Sequence, residues 1–185
     1  MVKKIHYTWK DVEHMINVLV NLMYADGWRP DYIVGLTRGG LVPTAIMSNI
    51  TGIKCHTLDT RSDNPESNCW MAEDAFGYVS VLDRDGIMES VSSNPSEKKN
   101  ILILDDLNNT GNSFKFIKED WQGSCLPNNP NWNTIWHQNV RFATLVDNGA
   151  SEFKDTDYTA VEINKDEEGI WVVFPWESER DYGNF

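Results

Sequence analysis

The segment "NILILDDL", residues 100–107, constrains this chain more than any other. Its aliphatic run, Ile101 to Leu104, leaves neither side of a strand polar. A strand of that kind is covered on both faces, as in a parallel sheet flanked by helices. The run ends in two adjacent carboxylates, Asp105 and Asp106, followed by the polar loop "NNTGNS", 108–113. In open α/β sheets ligands bind beyond the carboxyl ends of the strands. The acidic pair therefore stands where a ligand is expected.

The rest of the chain fits the same class. Residues 8–24 read as an amphipathic helix, with Thr8 as its cap, Asp11 three positions on, and Val12, Ile16, Leu19, Val20 and Met23 on one face. "DYIVGLT", 31–37, is a short apolar strand, "RGG" a turn, and "LVPTAIMSNITG" a helix closed by Gly52. With a strand at 54–60 these make a βαβ unit. Residues 61–75 and 86–99 are polar and irregular, with strand character between them at 75–83. A helix is expected over 111–121, a surface insertion over 122–139, and strands at 140–148, at "DYTAVEIN" and at "IWVVFPW". The charged turn "KDEEG" separates the last two. The expectation is one α/β domain over 1–185: a mainly parallel sheet flanked by helices, with a small hood from the chain ends and the 61–99 region.

Composition excludes more than it identifies. The chain has 185 residues, 41% of them hydrophobic, including eight Trp, enough for a single core. A net charge of −12 argues against broad nucleic-acid binding and against anionic membranes. No run approaches the roughly 18 apolar residues of a membrane span, and "MVKKIHYTWKD" has no apolar stretch after its lysines. Cys55, Cys69 and Cys125 are odd in number and lack a CxxC, which argues against zinc or a disulfide framework and for a reduced, cytoplasmic setting. His6, His14, His56 and His137 lack ligand spacing and read as structural or surface residues.

The loop after the acidic pair has its own chemistry. Backbone N–H groups at a helix start suit a phosphate. Thr110 and Ser113 add hydroxyls, and Gly111 permits a backbone closed to most residues. Carboxylates suit sugar hydroxyls or Mg²⁺. The spacing alone is equally compatible with a solvated Asp pair ending a strand and capping a helix. Neither the P-loop pattern nor GxGxxG is present.

"ILILDDLNNTGNS" resembles the phosphoribosyl-pyrophosphate (PRPP) motif of the type I phosphoribosyltransferases. "IVGLTRGGLVPTAIMSNITG" resembles their pyrophosphate loop and following helix, and "IWVVFPWE" the segment where an aromatic residue stacks on a purine. The latter two are most similar to the bacterial xanthine–guanine (6-oxopurine) branch, and the three agree with the family in order and approximate spacing over residues 31–177. The resemblance implies that Thr37, Arg38, Gly39 and Gly40 hold pyrophosphate, often around a non-proline cis peptide. It implies that Asp105 and Asp106 bind ribose hydroxyls and Mg²⁺, and that Asn108, Asn109, Thr110, Gly111, Asn112 and Ser113 hold the 5′-phosphate. Trp171 would stack on the base, with Val172 offering backbone groups to its edge. The hood would close over the site from 61–99, with Arg61, Arg84, Lys98 and Lys99 as phosphate contacts. The implied activity is Mg²⁺-dependent transfer of phosphoribose from PRPP to a purine-type base, in a homo-oligomer (dimer or tetramer), with Arg38, Asp105, Asp106 and Asn109 in the catalytic group.

The base half departs from the family pattern. Asn109 stands where the 6-oxopurine enzymes carry an Asp, and an amide is no general base. After strand 140–146, where those enzymes place a Lys, the chain has "DNGAS"; Asp147 there would accept from an amine or ring N–H of the base. Asn112 replaces the Gly or Lys of many members. A non-catalytic PRPP or nucleotide sensor is the competing reading.

Overall fold

The computed structural model describes residues 3–60, 69–82, 88–127, 129–165 and 169–177. Strand β1 (Lys3–His6) leads into helix α1 (Trp9–Ala25). Thr8 and Asp11 form the expected capping box: Asp11 N–H donates to the Thr8 hydroxyl at 3.2 Å and Thr8 N–H to the Asp11 carboxylate at 2.8 Å. Then follow β2 (Tyr32–Leu36), α2 (Leu41–Thr51), β3 (Lys54–Leu58), α3 (Cys69–Phe76), β4 (Tyr78–Leu82) and β5 (Met88–Ser93). The carboxyl half contains β6 (Ile101–Asn108), α4 (Asn112–Asp120), β7 (Val140–Asn148), β8 (Tyr158–Ile163) and β9 (Ile170–Val173).

Five strands form one parallel sheet in the order β3-β2-β6-β7-β8. The aliphatic run of β6 is explained by its two faces. Leu102 and Leu104 pack with α1 and α2 residues such as Ile16, Leu19 and Met47. Ile101 and Ile103 pack on the other side with Phe114, Ile117 and Trp121. The chain builds β3 on one side of β2 and then crosses to β6 on the other. That reversal leaves a crevice between the carboxyl ends of β2 and β6, where α/β sheets take their ligands.

Two small pairs stand outside the sheet: β1 with β9, parallel, from the chain ends, and β4 with β5, antiparallel, whose foot at Gly77 and Asn94 lies beside Lys98. Three expectations are corrected. Residues 69–76 are helical, with Met71, Ala72, Ala75 and Phe76 buried on one face, and 88–93 form a strand. The 122–139 stretch buries Trp132, Ile135 and Trp136 in the core and so is more than a surface insertion. Cys69 and Cys125 form a disulfide, with Cα atoms 4.9 Å apart, leaving Cys55 free. A separation of 56 residues carries no local signal for that pairing. Among the described residues no helix is long and apolar enough to cross a membrane.

Candidate active site

Two loops meet at the β2/β6 crevice. The first, after β2, contains a cis peptide between Thr37 and Arg38. Thr37 is anchored by its hydroxyl donating to Asp59 at 2.9 Å, and Arg38 is exposed. The two glycines allow the loop to lie against β6. A Cβ at Gly39 would overlap the Asp106 carboxyl, and one at Gly40 would meet the Leu104 carbonyl at 2.5 Å. Gly40 N–H also supports the Asp105 carboxylate. Gly39 and Asp106, 67 positions apart in the chain, thus touch because no side chain intervenes.

Burial pushes the Asp105 carboxyl well up from its ordinary value, and the neighbouring Asp106 charge adds to the effect. Asp106 is raised too, by burial and by Glu177, while its own N–H donates to the Asp105 carboxylate at 3.0 Å within β6. The buried Trp176 indole N–H faces Asp106 and favours its charged form, without reaching full hydrogen-bond geometry. No Lys or Arg among the described residues forms an ion pair with either carboxylate. Two crowded, unpaired carboxylates are a poor arrangement for an empty site and a good one for a cation. No group of three or more His, Cys, Asp or Glu that could hold a metal occurs among the described residues. A pair of carboxylates is a donor set of the kind Mg²⁺ takes, since it binds through one or two carboxylates, keeps waters and shares ligand phosphates.

The second loop, 109–113, wraps a polar cavity of ≈ 60 Å³ lined by Asp105, Asn109, Thr110, Gly111 and Ser113 among others. It opens α4, whose cap residue Gly111 makes no side-chain bond; Asn112 N–H donates to the Thr110 hydroxyl at 3.4 Å, and the N–H groups after it suit an anion. Gly111 has φ of 87°, and a Cβ there would meet Phe153 N at 2.5 Å. Gly111→Ala is expected to lower stability by at least about 1–2 kcal/mol, the cost of a left-handed non-glycine residue. Thermal unfolding checks this; an unchanged Tm would mean the loop refits without loss.

Not every expected residue joins this group. Asn108 is buried, and its amide is used up inside the protein. Its Nδ2 donates to Asp147 at 2.8 Å and to the Phe153 carbonyl at 3.0 Å, while its Oδ1 accepts from Ser151 at 2.9 Å. Its side chain has no capacity left for a phosphate. Asp147 turns with it, away from the loop, toward a separate hollow with Glu162. Successive strand side chains alternate in direction, so Asn148 points the other way, and its Nδ2 donates to the Asn109 carbonyl at 2.9 Å. Of the two, Asn148 is the one bonded to the 109–113 loop. Trp171 is 58% exposed, as a stacking surface must be, whereas the Val172 side chain is buried. Any contact from Val172 to a base is through its backbone.

Lys98 and Lys99 precede β6, at the end of the sheet opposite the site, which removes them as phosphate contacts. Arg61 and Arg84 lie outside the described residues. Three neighbours of the site were not foreseen: Trp176 and Glu177 beside Asp106, and Lys165, the first residue of the run read as a solvated turn. For Trp176 and Glu177, the only sequence signal is their place next to "IWVV".

The family described as phosphoribosyl transferase domain matches residues 1–182. A xanthine-guanine phosphoribosyltransferase of Idiomarina loihiensis is 26% identical over 153 residues, 81% of this chain and 73% of that protein. One of Cereibacter sphaeroides is 25% identical over 186 residues, 97% of this chain and 90% of that protein. The crystal structure of a purine phosphoribosyltransferase from Pyrococcus horikoshii shares the fold, with a TM-score of 0.59 at 21% identity over 96% of both chains.

Proposed function

The chain belongs to the phosphoribosyl transferase domain family, and from that premise we propose that it transfers the 5-phosphoribosyl group of PRPP to a purine-type base and releases pyrophosphate. The observation that carries this reading is the contact between the two loops. Gly39 and Gly40 lie directly on Asp106 and Asp105, so a pyrophosphate site and a ribose-phosphate site share one wall.

The polar cavity and the uncapped start of α4 hold the 5′-phosphate, with the hydroxyls of Thr110 and Ser113. Asp105 and Asp106 accept from the ribose hydroxyls, which fixes C1 before the crevice. The 37–40 backbone and the exposed Arg38 guanidinium receive the pyrophosphate. Mg²⁺ bound with PRPP would neutralise charge on the leaving group. The bond from C1 to the pyrophosphate oxygen breaks as a ring nitrogen of the base bonds to C1, through a transition state with positive charge on the ribose. The acidic pair lies where that charge develops. Asn109 accepts a hydrogen bond from the base but does not remove its proton, which leaves to water.

Incubation with PRPP, Mg²⁺ and guanine, hypoxanthine, xanthine or adenine tests the reading, and failure of all four to give nucleotide would refute it. Trp171→Ala is expected to raise the KM for the base by about 10- to 100-fold, since base–aromatic stacking is worth roughly 1–3 kcal/mol. Its Tm should stay unchanged, because the ring is largely exposed. A lower Tm with an unchanged KM would make Trp171 structural.

A further inference from the structure

Helix α4 continues past Asp120 as one wider turn. Residues Trp121–Cys125 are π-helical, with Leu126 N–H donating to the Trp121 carbonyl at 3.0 Å. Turns of this kind recur at functional sites. Only Trp121 in it is buried; Gln122, Gly123 and Ser124 are exposed, and a Cβ at Gly123 would meet nothing within 4 Å. Its last residue, Cys125, is bonded to Cys69, the first residue of α3.

The two partners are held very differently. Helix α3 is fixed without the disulfide. Met71, Ala72, Ala75 and Phe76 are buried, Asp74 accepts from the Tyr32 hydroxyl at 3.1 Å, and the Ala75 carbonyl accepts from Asn139 at 2.8 Å. After the π turn, Asn129 donates to the Tyr78 hydroxyl at 2.9 Å and Trp132 Nε1 to the Leu126 carbonyl at 3.2 Å. Those bonds hold the chain beyond the turn and leave the turn to its own contacts and the disulfide. The disulfide thus ties a loosely held turn to a firmly held helix. The other end of the same α4 is the 109–113 loop. Both cysteines are half-buried, so a thiolate can reach the bond.

We propose that the Cys69–Cys125 disulfide is a redox switch on PRPP binding, opened by a dithiol reductant, and that the reduced protein binds PRPP more weakly. This rests on the reading that the 109–113 loop holds the 5′-phosphate. A thiolate of the reductant attacks one sulfur, the S–S bond breaks and a mixed disulfide forms. The second thiol of the reductant then displaces it. The protein gains two electrons and two protons as two thiols, and the reductant leaves as its disulfide. With Cys125 free, the π turn frays back to Trp121. Helix α4 has nine residues, and isolated helices below about 12–15 residues are marginal. Its first turn is then ordered partly by the phosphate itself, which lowers affinity.

The test is calorimetry of PRPP with Mg²⁺ on the oxidised protein and on the protein reduced with dithiothreitol, with thiol titration to confirm one free thiol before and three after. The expected result is a Kd raised about 5-fold or more on reduction, the lower end of ordinary coupling between sites. Hydrogen exchange at α4 amides should quicken with it. By linkage, PRPP should shift the dithiothreitol equilibrium toward the protein disulfide by the same factor. Cys69→Ser should bind like the reduced wild type and ignore dithiothreitol, while Cys55→Ser should respond as the wild type does. Equal Kd values in the two redox forms overturn the switch and leave the phosphate loop standing. No PRPP binding to the oxidised protein overturns both. A reduced protein without a cooperative thermal transition makes the bond a structural staple and also overturns the switch.

Discussion

Replacing Asp105 and Asp106 together by Asn is expected to lower kcat/KM by about 10²- to 10⁴-fold, the loss of two charge-assisted contacts of roughly 1.5–3 kcal/mol each. PRPP affinity should fall with it. The same variant should be more stable than the wild type in the absence of ligand. Both carboxyls are held above their ordinary value of 3.8, first by burial. The native state therefore binds more protons than the unfolded chain from pH 3.8 up to the raised values. Stability falls as pH rises through that window and stays reduced above it. The Asn variant does not titrate there, so its Tm at neutral pH should exceed that of the wild type by about 2–4 °C for each kcal/mol recovered. The two curves should converge in acid, below the ordinary carboxyl value. PRPP with Mg²⁺ should raise the wild-type Tm and leave the variant's nearly unmoved. Unchanged PRPP affinity in the variant would reduce the acidic pair to the end of a strand.

Asn109→Asp is expected to act in the opposite direction. The Asn109 side chain is exposed in the loop, and its backbone carbonyl is held by Asn148. A carboxylate there takes or shares the proton that a 6-oxopurine must lose, an assistance of typically about 10²- to 10⁴-fold. The gain should appear for guanine, hypoxanthine and xanthine and be small for a base that enters without losing that proton. PRPP affinity should change little. Asp105 and Asp106 are close in the chain, so the new carboxyl is raised by like charge and the gain is largest at mildly alkaline pH. Equal ratios across four bases in the two proteins would remove Asn109 from base choice.

The two loops at the β2/β6 crevice were legible because each has a local signature. A strand covered on both faces must be aliphatic throughout, and Ile101–Leu104 are; a loop pressed on a neighbouring strand must lack side chains, and Gly39 and Gly40 do. Helix α1 carried both its cap and its apolar face in sequence. The base half depends on direction in space. Asp147 and Asn148 differ by one position on β7, and that parity decides which of them faces the loop. Nothing in "DNGAS" fixes the parity; the structure bonds Asp147 to Asn108 and turns Asn148 to the Asn109 carbonyl. Lys165 was hidden for the same reason, since a charged residue in a charged turn reads as solvated until Trp171 is placed beneath it. Helix α3 had its apolar face at Met71, Ala72, Ala75 and Phe76, but eight residues of it run straight into a strand pattern.

The most direct test of the transfer reading is a mass balance on the wild-type protein. With PRPP, Mg²⁺ and guanine or xanthine, pyrophosphate and the nucleoside monophosphate should appear in equal amounts, at a rate proportional to protein. No product should form when the base is omitted. Tight binding of PRPP with no pyrophosphate released for any base would contradict the account and identify the protein as a sensor built on the same two loops.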